Sequence, residues 1–160
     1  MSCIARRTFA VALMAATLSP LTVGSSAQAE EAKATKPVYN VTVRDSKLGQ
    51  ILTDDAGMTL YMFTPDRRNV SNCEGGCLAA WPPFMLKTGE SLNDVAVPDN
   101  LRRSQLGVAM RFDGSRQVTY GGWPLYYWAR DKVAGDVTGQ GVGGVWFVLN
   151  AVGTPTTTRL

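Results

Sequence analysis

The side chains best suited to chemistry in this chain are two cysteines and a few aspartates. Cys73 and Cys77 are spaced C-x3-C, unlike the C-x-x-C of thioredoxin-like centres, and Gly75 and Gly76 let the intervening chain turn tightly. In an oxidising compartment the pair reads as a disulfide. As free thiolates the same pair could hold a soft metal together with Met58, Met62 or Met85, although methionine is more often core filler. Asp66, Asp131 and Asp136 could supply the two carboxylates that glycoside hydrolysis needs, but they fall in short loops with no evident deep cleft. Asp131, Asp136 and Gln140 could chelate calcium, without EF-hand spacing. The chain contains no histidine, which excludes Ser-His-Asp and Cys-His nucleophiles, His-ligated zinc or copper and C-x-x-C-H haem. Residues 135–144 are glycine-rich but lack the Gly-Lys-Ser/Thr of a phosphate loop, so they read as a tight surface turn.

The aspartates sit in a pattern that occurs twice. Gly57-Met58-Thr59-Leu60-Tyr61-Met62-Phe63-Thr64-Pro65-Asp66 and Gly122-Trp123-Pro124-Leu125-Tyr126-Tyr127-Trp128-Ala129-Arg130-Asp131 both follow G-x-x-L-Y-x-[F/W]-x-x-D. Trp81 and Trp146 each follow their copy's Asp by 15 residues, and Leu48-Gly49 and Leu106-Gly107 precede the two copies. This is an internal duplication. In a strand Tyr61 and Phe63 share one face and Leu60 and Met62 the other, as Tyr126 and Trp128 oppose Leu125 and Tyr127. Each Asp then falls just past a strand end, where its carboxylate could accept N–H bonds from the next loop. Two readings of Tyr61, Phe63, Asp66, Trp81, Tyr126, Trp128, Asp131 and Trp146 stay open: a loop-clamping cluster built twice, or a surface of flat rings and directed acceptors for a ligand such as a sugar or peptide.

The elements that must position these residues are short. Runs rich in β-branched and aromatic residues predict strands over 38–43, 50–53, 59–63, 108–112, 117–120, 125–128 and 145–149, with Asp54-Asp55-Ala56-Gly57 and Asp113-Gly114-Ser115-Arg116 as hairpin turns. Helical signal is limited to one turn at 77–80, stopped by Pro82-Pro83, and another through 101–105 capped by Asp99-Asn100. Residues 87–100 carry turn formers without periodicity and read as a linker. Copy one spans about 44–86 and copy two about 102–150; each, at roughly 45 residues, is too small to bury a stable core. The expectation is a mainly β, single compact domain of two pseudo-symmetric tandem repeats with short helical turns, over 38–153.

The ends read differently. Residues 1–29 have Arg6 and Arg7, an apolar run from Phe9 and small residues to Ala29, the pattern of a secretory signal peptide; Arg6-Arg7-Thr8-Phe9 also resembles a twin-arginine signal. Residues 30–37 read as a flexible leader and 154–160 as a frayed tail. Of 16 basic and 13 acidic residues, Arg6 and Arg7 leave with the signal, so the net charge falls from +3 to about +1 and nucleic acid is not an expected partner. Cys3 precedes the apolar run, where a lipobox cysteine would follow one, so no lipid anchor is expected. No transmembrane segment is expected either.

The motifs Tyr61-x-Phe63-x-x-Asp66 and Tyr126-x-Trp128-x-x-Asp131 resemble the bacterial predicted-lipoprotein family defined by Yx(F/W/Y)xxD, also called the secreted repeat of unknown function. The likeness extends through Cys73 to Pro83, Gln117 to Tyr126, Asp131 to Gly141 and Trp146. It implies an extracytoplasmic protein of tandem repeats with no established activity. The resulting expectation is a periplasmic or secreted, non-enzymatic binding or interaction module without a cofactor, whose partner is a cell-envelope ligand or protein of unknown identity. Its rivals are a periplasmic redox or metal-handling protein using Cys73 and Cys77, and a small hydrolase using Asp66 and Asp131.

Overall fold

Alternating apolar and polar residues at the start of the domain form the longest hairpin. In the computed structural model, which describes residues 39–158, strand β1 (Tyr39–Ser46) runs antiparallel to β2 (Gly49–Asp54), with Val43 opposite Leu52 and Ser46 opposite Gly49. The signal-peptide and leader expectations, residues 1–29 and 30–37, lie outside the described residues. Beyond the Asp54–Gly57 turn, β3 (Tyr61–Phe63) is the first copy's motif strand, followed by one helical turn, α1 (Gly76–Ala80), and β4 (Met85–Leu86). The second copy likewise opens on a hairpin, β6 (Leu106–Met110) and β7 (Arg116–Tyr120), and continues through β8 (Trp123–Pro124) and β9 (Trp146–Val148). The protein is a mainly β domain of two tandem repeats with short helical turns.

Strand pairing crosses between the copies. β9 of copy two pairs antiparallel with β3 of copy one, Phe63 opposite Trp146, while β4 of copy one pairs with β7 of copy two. The backbone bonds Leu52 N–H to Leu149 O and Val118 N–H to Phe84 O, each 2.8 Å, are counterparts under the repeat. At the centre the motif residues pair with each other: Tyr61 N–H donates to Tyr126 O at 2.8 Å and Tyr126 N–H to Tyr61 O at 2.9 Å. A reciprocal pair of this kind is what a local two-fold axis produces in an antiparallel ladder.

The alternation along the motif strands divides the core. Leu60, Met62, Leu125 and Tyr127 join one cluster with Val41, Leu52, Val118 and Leu149. Tyr61, Phe63, Tyr126 and Trp128 join the other with Trp81, Trp146 and Cys73. The expected face assignment therefore holds in both copies.

Several expectations need correction. Residues 125–128 form no continuous strand: Tyr126 bridges Tyr61 and Pro83, while the chain on either side follows the packing of rings. Phe112, expected to end a strand, sits in the β6–β7 turn and is 94% exposed. The linker is ordered: Ser91 and Asp94 form a reciprocal cap on a 3-10 turn over Leu92–Asp94, and β5 (Val95–Ala96) pairs parallel with β1. The tail is tied through 158, because Thr156 N–H donates to Val148 O and the Gln140 amide donates to the carbonyls of Thr156 and Thr158. The glycine-rich segment is not a free surface turn. Gly139 is buried, and a Cβ there would lie 2.8 Å from Trp81 and 2.9 Å from Tyr61.

Candidate functional site

All eight repeat-motif residues converge, and each copy completes the other. The Tyr61 hydroxyl of copy one donates to Asp131 Oδ2 of copy two at 2.7 Å, and the Tyr126 hydroxyl of copy two donates to Asp66 Oδ2 of copy one at 2.8 Å. The other carboxylate oxygen of each Asp holds its own loop. Asp66 Oδ1 accepts Asn72 N–H at 2.6 Å; Asp131 Oδ1 accepts Thr138 N–H at 3.0 Å and the Thr138 hydroxyl at 2.6 Å. Both aspartates and both tyrosines are buried. Every carboxylate oxygen is thus engaged by a donor of the protein itself, as buried charge requires.

Between these pairs the rings stack in the order Phe63, Trp146, Trp81, Trp128. Successive centroids are 4.2, 3.8 and 4.1 Å apart, and the central tryptophans are within 5° of parallel. Tyr61 meets Trp81 edge-on at 5.4 Å, and Tyr126 meets Trp146 edge-on at 5.1 Å. Such pairs add about 0.5–1.5 kcal/mol each beyond burial. The stack therefore carries weight comparable with the hydrogen bonds beside it, and neither could form within one copy. Six of the eight motif residues are buried, and Phe63 and Trp128 at the ends of the stack are half-buried.

The two ends of this two-fold arrangement differ in charge. On the Asp66 side, buried Arg111 donates to Ser71 Oγ, Gln117 Oε1 and Cys73 O, each at 2.7 Å, and to Glu74 Oε1 at 2.8 Å. Ser71 Oγ lies 2.8 Å from the Tyr126 hydroxyl. Since Tyr126 has one proton and gives it to Asp66, Ser71 must donate to Tyr126, and a directed chain runs from Arg111 through Ser71 and Tyr126 to Asp66. Burial pushes the Asp66 carboxyl up to about 6, against the opposing pull of Asn72 N–H, the Tyr126 hydroxyl and Arg111. On the Asp131 side the Tyr61 hydroxyl instead accepts Gly139 N–H at 3.2 Å. Burial, with a carboxylate alongside, holds both tyrosines well above the ordinary phenol range. They act as hydrogen-bond donors, not as bases.

Cys73 and Cys77 form a disulfide that staples the loop entering α1, with Cα atoms 5.5 Å apart. Met62 is buried in the first core cluster and not beside the sulfurs. Asp136 Oδ2 caps the N–H groups of Lys132 and Val133, and the Gln140 side chain faces Val148 and the tail, so the Asp131, Asp136 and Gln140 set is drawn into separate tasks. Among the described residues no group of three or more acidic or cysteine side chains is placed to hold a metal ion.

Sequence reasoning missed a surface feature next to Asp66. Arg67 and Val70 close a tight turn with reciprocal backbone bonds of 3.1 and 2.9 Å, and Asn69 adopts the left-handed conformation at φ 56°, which asparagine tolerates better than most residues. Asn69 N–H donates to Gly122 O at 2.8 Å, which pins the turn against the β7–β8 connection. Between them lies a cleft of about 420 Å³ lined by Asp66, Arg67, Arg68, Gly121, Gly122 and Trp123. The one available signal was the Arg67-Arg68 pair directly after the first motif, which has no counterpart after the second.

Comparison with known proteins agrees with the duplication. A family model described as a secreted repeat of unknown function matches residues 42–85 and again residues 107–150. No curated protein and no solved structure matches the chain. Among the described residues no helix is long and apolar enough to cross a membrane.

Proposed function

The chain belongs to this secreted repeat family of unknown function, and from that premise we propose that it is an extracytoplasmic, non-enzymatic binding module in which the duplicated motif is the scaffold and the cleft beside Asp66 is the binding face. The observation that carries this reading is where the copies diverge. Tyr, the second aromatic, Asp and Trp recur in both and are occupied with each other, while the recurring Leu joins the other core cluster. The rim does not recur. Copy one sets Arg68 over Gly122 beside Trp123; at the corresponding place Ala134 of copy two and Arg44 at the start of copy one lie over Gly57 beside Met58. A depression of about 480 Å³ lies there too, but it offers one guanidinium with Asp45 beside it and no ring.

The hydrolase reading has less support, because both oxygens of Asp66 and of Asp131 already accept protein donors and the cleft at Asp66 does not include Asp131. Amide shift mapping with a library of small polar and aromatic fragments tests the proposal. Perturbations should gather at residues 66–69 and 121–123, with every fragment recovered unchanged. Perturbations gathered elsewhere, or chemical conversion that is lost in Asp66→Asn, would replace it.

A further inference from the structure

The chemistry of the same cleft narrows the ligand. Arg67 and Arg68 are exposed, and among the described residues neither guanidinium is hydrogen-bonded or ion-paired. They are nonetheless placed with care. The turn that carries them is anchored by Asn69 N–H on Gly122 O. Gly122 is buried, with φ +90°, and a Cβ on it would come within 2.7 Å of Arg68 Cγ. A glycine is required both for that backbone and for the Arg68 side chain, from Cγ to the guanidinium, to lie across it. Opposite stands Trp123, half-buried against the first core cluster and therefore fixed. The acid in the wall, Asp66, has one oxygen on Asn72 N–H and the other on the Tyr126 hydroxyl, so the guanidiniums are left to face a ligand.

We propose that this cleft binds a ligand carrying a phosphate or carboxylate oxyanion on a flat apolar body, the oxyanion held by Arg67 and Arg68 and the flat body laid against Trp123. Guanidinium forks match both oxyanions in geometry, and an indole wall adds apolar area that simple ions cannot use. The inference rests on the cleft being the binding face. Lys132, which follows the second motif's Asp as Arg67 follows the first, is already engaged, its Nζ donating to Ala129 O at 2.7 Å. The second copy therefore lacks the same pair of unengaged cations.

Calorimetric titration of the purified exported protein with phenyl phosphate, benzoate, inorganic phosphate and benzyl alcohol separates the possibilities, with amide shifts locating each complex. Phenyl phosphate, benzoate or both should bind at residues 66–69 and 121–123, more tightly than inorganic phosphate or benzyl alcohol; which of the two binds identifies the oxyanion. The double variant Arg67→Gln, Arg68→Gln should weaken that binding about tenfold or more, and added salt should weaken it as well. Arg130→Gln, whose cation lies over Trp128, should leave it unchanged. Benzyl alcohol binding at the cleft as tightly as the anions would overturn the ligand class while leaving the binding face in place. Failure of all four to move the cleft amides would remove both. Because these comparisons are made on the unaltered protein, the outcome does not depend on the variants folding.

Discussion

Asp66 and Asp131 occupy the same place in the repeat, and each accepts a tyrosine hydroxyl from the opposite copy and an N–H from its own loop. For Asp66 burial outweighs those donors and raises the carboxyl to about 6. A carboxyl whose folded-state pKa lies above its unfolded value binds its proton more readily when folded. Its contribution is therefore full below about pH 4 and is lost as pH rises through about 6. Relative to Asp66→Asn, which has no proton to lose, the protein should lose on the order of 3 kcal/mol of stability between pH 4 and 7. Denaturant unfolding of both proteins across that range measures it, and a gap that stays constant with pH would contradict the raised carboxyl. The tyrosines give a second test. Tyr61→Phe strips a donor from Asp131 and an acceptor from Gly139 N–H, while Tyr126→Phe strips a donor from Asp66 and the acceptor of Ser71. Each should cost about 1–3 kcal/mol. A tyrosine whose loss is silent would show that its Asp is held by loop donors alone. The motif spacing made the loop-clamping half of this chemistry legible, whereas the crossed hydroxyl bonds join residues 60 and 70 positions apart and leave no local trace.

At the level of elements, short strands are stable here because the copies exchange them. β3 has three residues and β4 has two, too few to hold a sheet alone, yet each lies against a strand of the other copy. The hairpins were readable from alternation and turn residues. β4, β5 and β8 were not, since a two-residue strand has no period to detect and exists only when a partner edge passes by. The same reasoning explains residues 125–128, whose composition favours a strand but whose neighbours supply one bridge and a face of rings. The Cys73–Cys77 staple closes a small loop and is worth about 2 kcal/mol on chain-entropy grounds. Reduced protein should remain folded, with near-UV circular dichroism intact, because Arg111 still binds Cys73 O and the ring stack is separate from the bond. Its unfolding free energy should fall by about that amount, read as a lower denaturant midpoint. Complete unfolding on reduction would make the disulfide a determinant of the fold and not a local staple.

For the whole molecule the consequence is that neither copy is a unit. Residues 39–100 and 101–158, expressed separately, should each lack dispersed amide spectra, and mixing them should restore the native spectrum; an independently folded half would refute the exchange. The stacked contacts of Trp81 with Trp146 at 3.8 Å and with Trp128 at 4.1 Å should give an exciton couplet in circular dichroism that Trp81→Phe abolishes, and its persistence in that variant would place the couplet elsewhere. The order of residues alone establishes the duplication, the β character, the split of each motif strand into two faces, the cysteine pair and the lack of histidine. All of these are properties of residue type and of spacing along the chain, within a copy or repeated between the two. Long-range packing determines that the motif tyrosines, aspartates and rings close on each other across the copies, that Arg111 feeds one aspartate and not its twin, and that the two copies differ at the rim where Arg67, Arg68 and Trp123 meet. Those outcomes depend on which distant backbone fills each strand's open edge, and residue spacing carries no record of that choice.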